Sequence, residues 1–115
     1  MQFPHVVKTA FENEGIILSL YIDEELEAFK GHFDSTPIVP GVCQIHWVLH
    51  FSQEHFEELD VYYLPGCVER LEKIKFQHVI QPEMEIELRL KLVKNAIMFS
   101  FVSDRKHSSG KIVFE

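Results

Sequence analysis

The chain has 115 residues, 46% hydrophobic and 25% charged, the balance of an ordinary globular protein with enough length for one core. That composition excludes a disordered tail, a collagen-like rod and a disulfide-dense mini-domain. With 11 basic against 18 acidic residues, the formal net charge of −7 argues against wrapping nucleic acid or clinging to anionic lipid, both of which need a basic surface.

Residues Met1-Gln-Phe-Pro-His5 lack the basic region and apolar stretch of a secretory leader. The apolar run from Ile38 to Phe51 is too short for a membrane span and carries two histidines. Cys43 and Cys67 stand singly, without the CxxC spacing of a zinc ribbon or redox pair. The expectation is a cytoplasmic protein with two free thiols, no membrane insertion and no nucleic-acid partner.

The first clear element is a strand over Ile16–Ile22, with Ile16, Leu18, Leu20 and Ile22 on one face. Asp23 to Lys30 is acidic and reads as a connection. From Phe29 to Gly41, two glycines and two prolines predict a shaped loop. Pro40 suits a first helical turn, where its missing N–H costs nothing.

Val42, Ile45, Leu49, Ser52, Phe56 and Leu59 then follow helical spacing, predicting a helix from Gly41 to about Leu59. Trp47, Val48 and Phe51 make its first half apolar nearly all round, the mark of a buried helix. Leu64-Pro-Gly66 is a turn, and Val68 to Ile80 an irregular strand. Glu83 to Leu92 alternates strictly, with Met84, Ile86, Leu88, Leu90 and Leu92 on one face. Lys94-Asn95 predicts a hairpin turn, Ile97, Phe99 and Phe101 a partner strand, Asp104 to Gly110 a further turn, and Lys111–Glu115 a last strand. One apolar helix and one half-apolar antiparallel sheet need each other. The expected architecture is therefore α+β, a single domain over residues 1–115 with the sheet curled around the helix, and a remaining face that invites a second copy.

The loop and helix read His32-Phe-Asp-Ser-Thr-Pro37-Ile-Val-Pro40-Gly41-Val42-Cys-Gln-Ile-His46-Trp. This segment resembles the active-site segment of the hot-dog-fold 3-hydroxyacyl-acyl-carrier-protein dehydratases, the FabZ/FabA family, nearest its ApeI-like branch. Ile74-Lys-Phe76, Val79-Ile-Gln-Pro82-Glu and the alternating strand are similar to the family's long hairpin, so the resemblance runs from about Phe3 to Glu115. It implies a hot-dog fold working as a homodimer or a dimer of dimers. It also implies reversible dehydration of a 3-hydroxyacyl thioester, carried by an acyl carrier protein or coenzyme A, to the trans-2-enoyl thioester. His32 matches the catalytic loop histidine, and Phe33, Pro40, Gly41 and Val42 fall on the substrate-binding segment. The family's helix carboxylate, supplied from the partner subunit, falls on His46, and Asp34 stands where the family often has proline.

Dehydration needs a base for the proton beside the thioester carbonyl, an acid for the departing hydroxyl, and donors for the enolate-like oxygen. His32 suits the base, since imidazole titrates near neutrality. The N–H groups of Gly41 and Val42 suit the oxygen site at a helix N-terminus. His46 is assigned to position the hydroxyl or a water and to act as the acid. No cofactor is required. His46 and His50 have zinc-ligand spacing but lack a His-Glu-x-x-His pattern, so no metal is expected. Cys43 reads as a packed thiol, and Trp47, Phe51 and Phe56 as core. Two alternatives share the fold: a thioesterase using Asp34, and a non-catalytic acyl-thioester binder, for which His46 in place of a carboxylate is the main support. Lys30, Arg70, Lys73 and Lys75 are either a carrier-docking patch or scattered solvated charges.

Overall fold

The computed structural model describes residues 2–30, 37–57 and 68–114. In chain order the elements are β1 (His5–Phe11), β2 (Gly15–Ile22), a short 3-10 turn (Glu27–Phe29), α1 (Gly41–His55), β3 (Val68–Phe76), β4 (Met84–Val93), β5 (Ala96–Val102) and β6 (Lys106–Phe114). The strands form one sheet in the order β1-β2-β4-β5-β6-β3, antiparallel at every pairing.

Period-two alternation sets the inner face of this sheet. Ile16, Leu18, Leu20 and Ile22 of β2 are buried, as are Ile86, Leu88 and Leu90 of β4 and Ile97, Phe99 and Phe101 of β5. The same alternation sends Glu85, Glu87, Arg89 and Lys91 outward. The sheet closes on α1 through Trp47, Val48 and Phe51, and the Trp47 ring meets Phe101 edge-on at 6.4 Å. The hairpin turn falls at Lys94-Asn95 as expected, with Lys94 in the left-handed region (φ 56°) that a tight two-residue turn requires. Asn95 stitches that turn to the end of β6: its Nδ2 donates to the Phe114 carbonyl at 2.7 Å, and the Phe114 N–H donates to the Asn95 carbonyl at 2.8 Å.

Three expectations need correction. The helix has the expected period but a different phase: it buries Gln44, Trp47, Val48, Phe51 and Ser52, whereas Val42 is 63% exposed and Ile45 and Leu49 are half-buried. Only the stripe toward the sheet is covered within one chain. The helix also ends at His55, with Phe56 already extended; Leu59 and the turn at Leu64-Pro-Gly66 lie outside the described residues. Lys106–Gly110 is strand rather than turn. Ser108, Ser109 and Gly110 are poor strand formers, yet Ser108 and Ser109 pair with both β5 and β3, and Gly110 pairs with β5. Their small size is used, because a Cβ on Gly110 would run into the Ile74 side chain and come within 3.0 Å of the Phe99 ring.

β1 carries no sequence signal that periodicity could detect. It is an edge strand exposed at almost every residue, and a register shift between Val6 and Lys8 breaks its alternation. β3, the opposite edge, is irregular as expected but ends at Phe76 rather than Ile80: its register shifts between Glu72 and Lys75, and Lys73 has φ 54°.

Candidate active site

The chain enters α1 along a strap of two prolines, Pro37-Ile-Val-Pro40. Proline has no N–H, so this strap has few groups with which to fix itself. Val39, 3% exposed, does most of the fixing. Its N–H donates to the Ile80 carbonyl at 2.8 Å, on the connector between β3 and β4. Its carbonyl accepts from Gln44 Nε2 at 3.2 Å, and Gln44 Oε1 accepts in turn from Ser108 Oγ at 2.7 Å.

Pro40 stands just before the helix as its N-cap, extended at ψ 151° and with no side chain to cap it. Its carbonyl accepts from the Cys43 and Gln44 amides. The Gly41 and Val42 N–H groups have no partner among the described residues, leaving two donors at the positive end of the helix. Phe76, the last residue of β3, lies across this point. A Cβ on Gly41 would come within 2.6 Å of its ring, so only glycine lets ring and backbone meet this closely.

His46 lies one turn beyond Val42 on the same exposed side of α1. It lines a cavity of about 480 Å³ together with Phe3, Cys43, Trp47 and His50. The Phe3 ring stacks flat on His50 at 3.7 Å, and Trp47 Nε1–H donates to the Gln2 carbonyl at 3.3 Å, tying the residues before β1 to the helix. His50 Nε2 lies 2.9 Å from Glu54. Stacked and paired in this way, His50 is a wall rather than a companion ligand for His46. Among the described residues no group of three His, Cys, Asp or Glu side chains could hold a metal ion. Burial raises the Cys43 thiol above its ordinary pKa, so it stays protonated at neutral pH and is a poor nucleophile.

Of the sequence-predicted site residues, Pro40, Gly41, Val42 and His46 come together at the first turns of α1. His32 and Phe33 lie outside the described residues, as does Asp34. Motif reasoning missed Phe76, Gln44 and Ser108, because their roles exist only once β3 and β6 reach the helix. Phe76 stands in the Ile74-Lys-Phe76 segment that carried part of the resemblance, the one available signal.

The outer face of the sheet differs in character. A broad groove of about 1080 Å³ crosses it, lined by Lys73, Lys75, Arg89, Lys91, Lys106 and Lys111, six of the chain's 11 basic residues. Glu14 lies 3.5 Å from Lys91 and Glu72 lies 3.9 Å from Lys111. Lys73, Lys75 and Lys106 have no ion-pair partner among the described residues. Arg70 is not part of the groove: it bonds Glu72 and pairs with Glu69. Lys30 is exposed and lies outside it as well. Among the described residues no helix is long and apolar enough to cross a membrane.

An antiparallel six-stranded sheet wrapped on one helix, entered through a Pro-x-x-Pro-Gly-Val strap, defines a hot-dog-fold protein. The structure of the dehydratase heterocomplex ApeI:P from Xenorhabdus doucetiae matches with a TM-score of 0.81 and 31% identity over 96% of each chain. An uncharacterized protein from Erwinia carotovora subsp. atroseptica matches at 0.72 and 30%, over 100% of this chain and 96% of that one. The ApeI-like family, described as ApeI dehydratase, matches residues 8–111, and the chain belongs to that family. A 3-hydroxyacyl-[acyl-carrier-protein] dehydratase FabZ of Campylobacter curvus is 34% identical over 99 residues, 76% of this chain and 64% of the relative. An uncharacterized thioester dehydrase of Halalkalibacterium halodurans is 31% identical over 88 residues, 73% of this chain and 55% of the relative. The chain thus spans 55% to 64% of the length of these curated relatives.

Proposed function

We propose that this protein is a hydro-lyase of the cytoplasm that interconverts 3-hydroxyacyl and trans-2-enoyl thioesters carried on an acyl carrier protein. The observation that carries this reading is the grouping at the start of α1: two unpartnered amides at Gly41 and Val42, and an exposed imidazole at His46 one turn on. The amides hold the thioester oxygen as negative charge develops on it. His32 takes the proton from the carbon beside the carbonyl, and that electron pair becomes the new carbon–carbon double bond. The bond from the next carbon to its hydroxyl breaks, and the leaving oxygen takes a proton from His46, or from a water that His46 holds, and departs as water. Proton exchange with solvent returns both imidazoles to their starting states.

The test is incubation with a carrier-bound 3-hydroxyacyl thioester. The expected product is the enoyl thioester, lighter by one water; free acid would mean a thioesterase, and tight binding without turnover a non-catalytic binder.

The partner follows from the groove on the outer face. Lys73, Lys75 and Lys106 line it without an ion-pair partner among the described residues, a surface that suits an acidic carrier. Charge reversal by Lys73→Glu and Lys75→Glu together is expected to raise KM for carrier-bound substrate about tenfold, at unchanged kcat, and to leave a small soluble thioester unaffected. Equal effects on both substrates would contradict docking there.

A second copy fits the β3 edge. Among the described residues its backbone has no strand partner on one side, and Val68, Leu71 and Phe76 are exposed along it. The ApeI:P structure is a heterocomplex; for this chain we propose a homodimer through β3. Sedimentation at twice the chain mass is expected, and a monomer at working concentration would contradict it.

A further inference from the structure

We infer that Gln44, held by Ser108, is a positioning residue of this site: through Val39 it fixes the strap that delivers Gly41 and Val42 to the substrate. The inference rests on the dehydratase reading proposed above.

Gln44 is 4% exposed and shares the buried stripe of α1 with Trp47, Val48, Phe51 and the small Ser52. An apolar residue would fill that stripe at no polar cost, whereas a buried carboxamide is tolerated only when its groups are paired. Both ends of this one are used. The Val39 carbonyl can only accept, so the amide nitrogen must face it, and the Ser108 hydroxyl then donates to the amide oxygen. Ser108 is fully buried on β6 and pairs across the sheet with Phe76, whose ring covers Gly41.

Val39 is thereby clamped from two sides, by α1 through Gln44 and by the β3–β4 connector through Ile80. The prolines on either side of Ile38 and Val39 offer no N–H of their own, and Pro40 has no side-chain cap. Among the described residues the strap therefore takes its hydrogen bonds through Val39 and the Pro40 carbonyl alone. Stabilising a developing oxyanion demands donors held to a fraction of an ångström. The chain Ser108–Gln44–Val39 supplies that stiffness without touching the substrate.

Two readouts test this. The first needs no activity: amide hydrogen exchange of Val39, referenced to Leu88 on β4 in the same sample. The second is kcat and KM for enoyl-thioester hydration. Gln44→Met keeps the side-chain length and removes both hydrogen bonds. It is expected to speed Val39 exchange about tenfold or more relative to Leu88 and to lower kcat about tenfold or more, with KM changed by less than about twofold. Ser108→Ala leaves Gln44 Nε2 on Val39 and is expected to act in the same direction with smaller effect; it also serves if Gln44→Met fails to fold. Unchanged Val39 exchange in the folded variants would overturn the clamp whatever the activity. Faster exchange with unchanged kcat would reduce it to a packing feature and leave the dehydratase reading intact. A wild-type protein inert toward every thioester would overturn that reading and the positioning role together, even with the exchange result as expected.

Discussion

His46→Ala is expected to lower enoyl-thioester hydration by about 100-fold or more, the usual loss when a general acid–base group is removed. Stability should change by less than about 0.5 kcal/mol, because His46 is exposed and makes no hydrogen bond, ion pair or ring contact among the described residues. That separation makes the variant informative, since lost activity cannot then be ascribed to lost fold. His46→Glu restores the type of residue the dehydratase motif usually carries here. It is expected to retain measurable turnover, whereas His46→Leu is expected to retain none. Initial rates and thermal melts on the same preparations check both halves, and turnover by His46→Ala at the wild-type rate would remove His46 from the chemistry.

Phe101→Ala is expected to destabilise the fold by about 3–5 kcal/mol, the range for truncating a buried aromatic side chain. Phe101 is fully buried, and it meets Trp47 of α1 and Phe99 of its own strand edge-on at 6.4 and 6.2 Å. Its ring joins the sheet to the helix that carries the site, so the loss combines apolar transfer with a cavity that rigid neighbours cannot fill. The melting temperature should fall by more than about 10 °C. Met98→Ala on the outer face of the same strand, where Met98 is 47% exposed, should cost less than about 1 kcal/mol. Chemical denaturation of the two variants checks the contrast, and similar losses in both would mean that Phe101 is not a keystone of the core.

The parts of the fold that were legible in the sequence are those where one residue in two meets the core. β2, β4 and β5 have this property, and alternation alone identifies their inward residues. β1 is not legible because an exposed edge strand owes its structure to a neighbour's backbone rather than to its own side chains. The first half of β6 reads as a turn because Ser108, Ser109 and Gly110 carry turn-like propensities, which pairing with β5 and β3 overrides. Apolar spacing places the helix, but so many of its residues are apolar that spacing does not decide which stripe faces the sheet. The site divides in the same way. Gly41, Val42 and His46 are contiguous enough to form a motif. Gln44 and Ser108 are 64 residues apart, and Phe76 meets Gly41 only after the sheet has formed.

The most direct measurement is the initial rate of hydration of a short trans-2-enoyl thioester by the wild-type protein and by His32→Ala, followed by loss of enoyl absorbance, with the thioester offered on a carrier protein and on coenzyme A. A dehydratase built on His32, His46 and the α1 amides should turn over in the wild type, favour the carrier-bound form and lose about 100-fold or more in His32→Ala. No hydration of either thioester by a folded wild-type protein, or equal rates in wild type and His32→Ala, would contradict it.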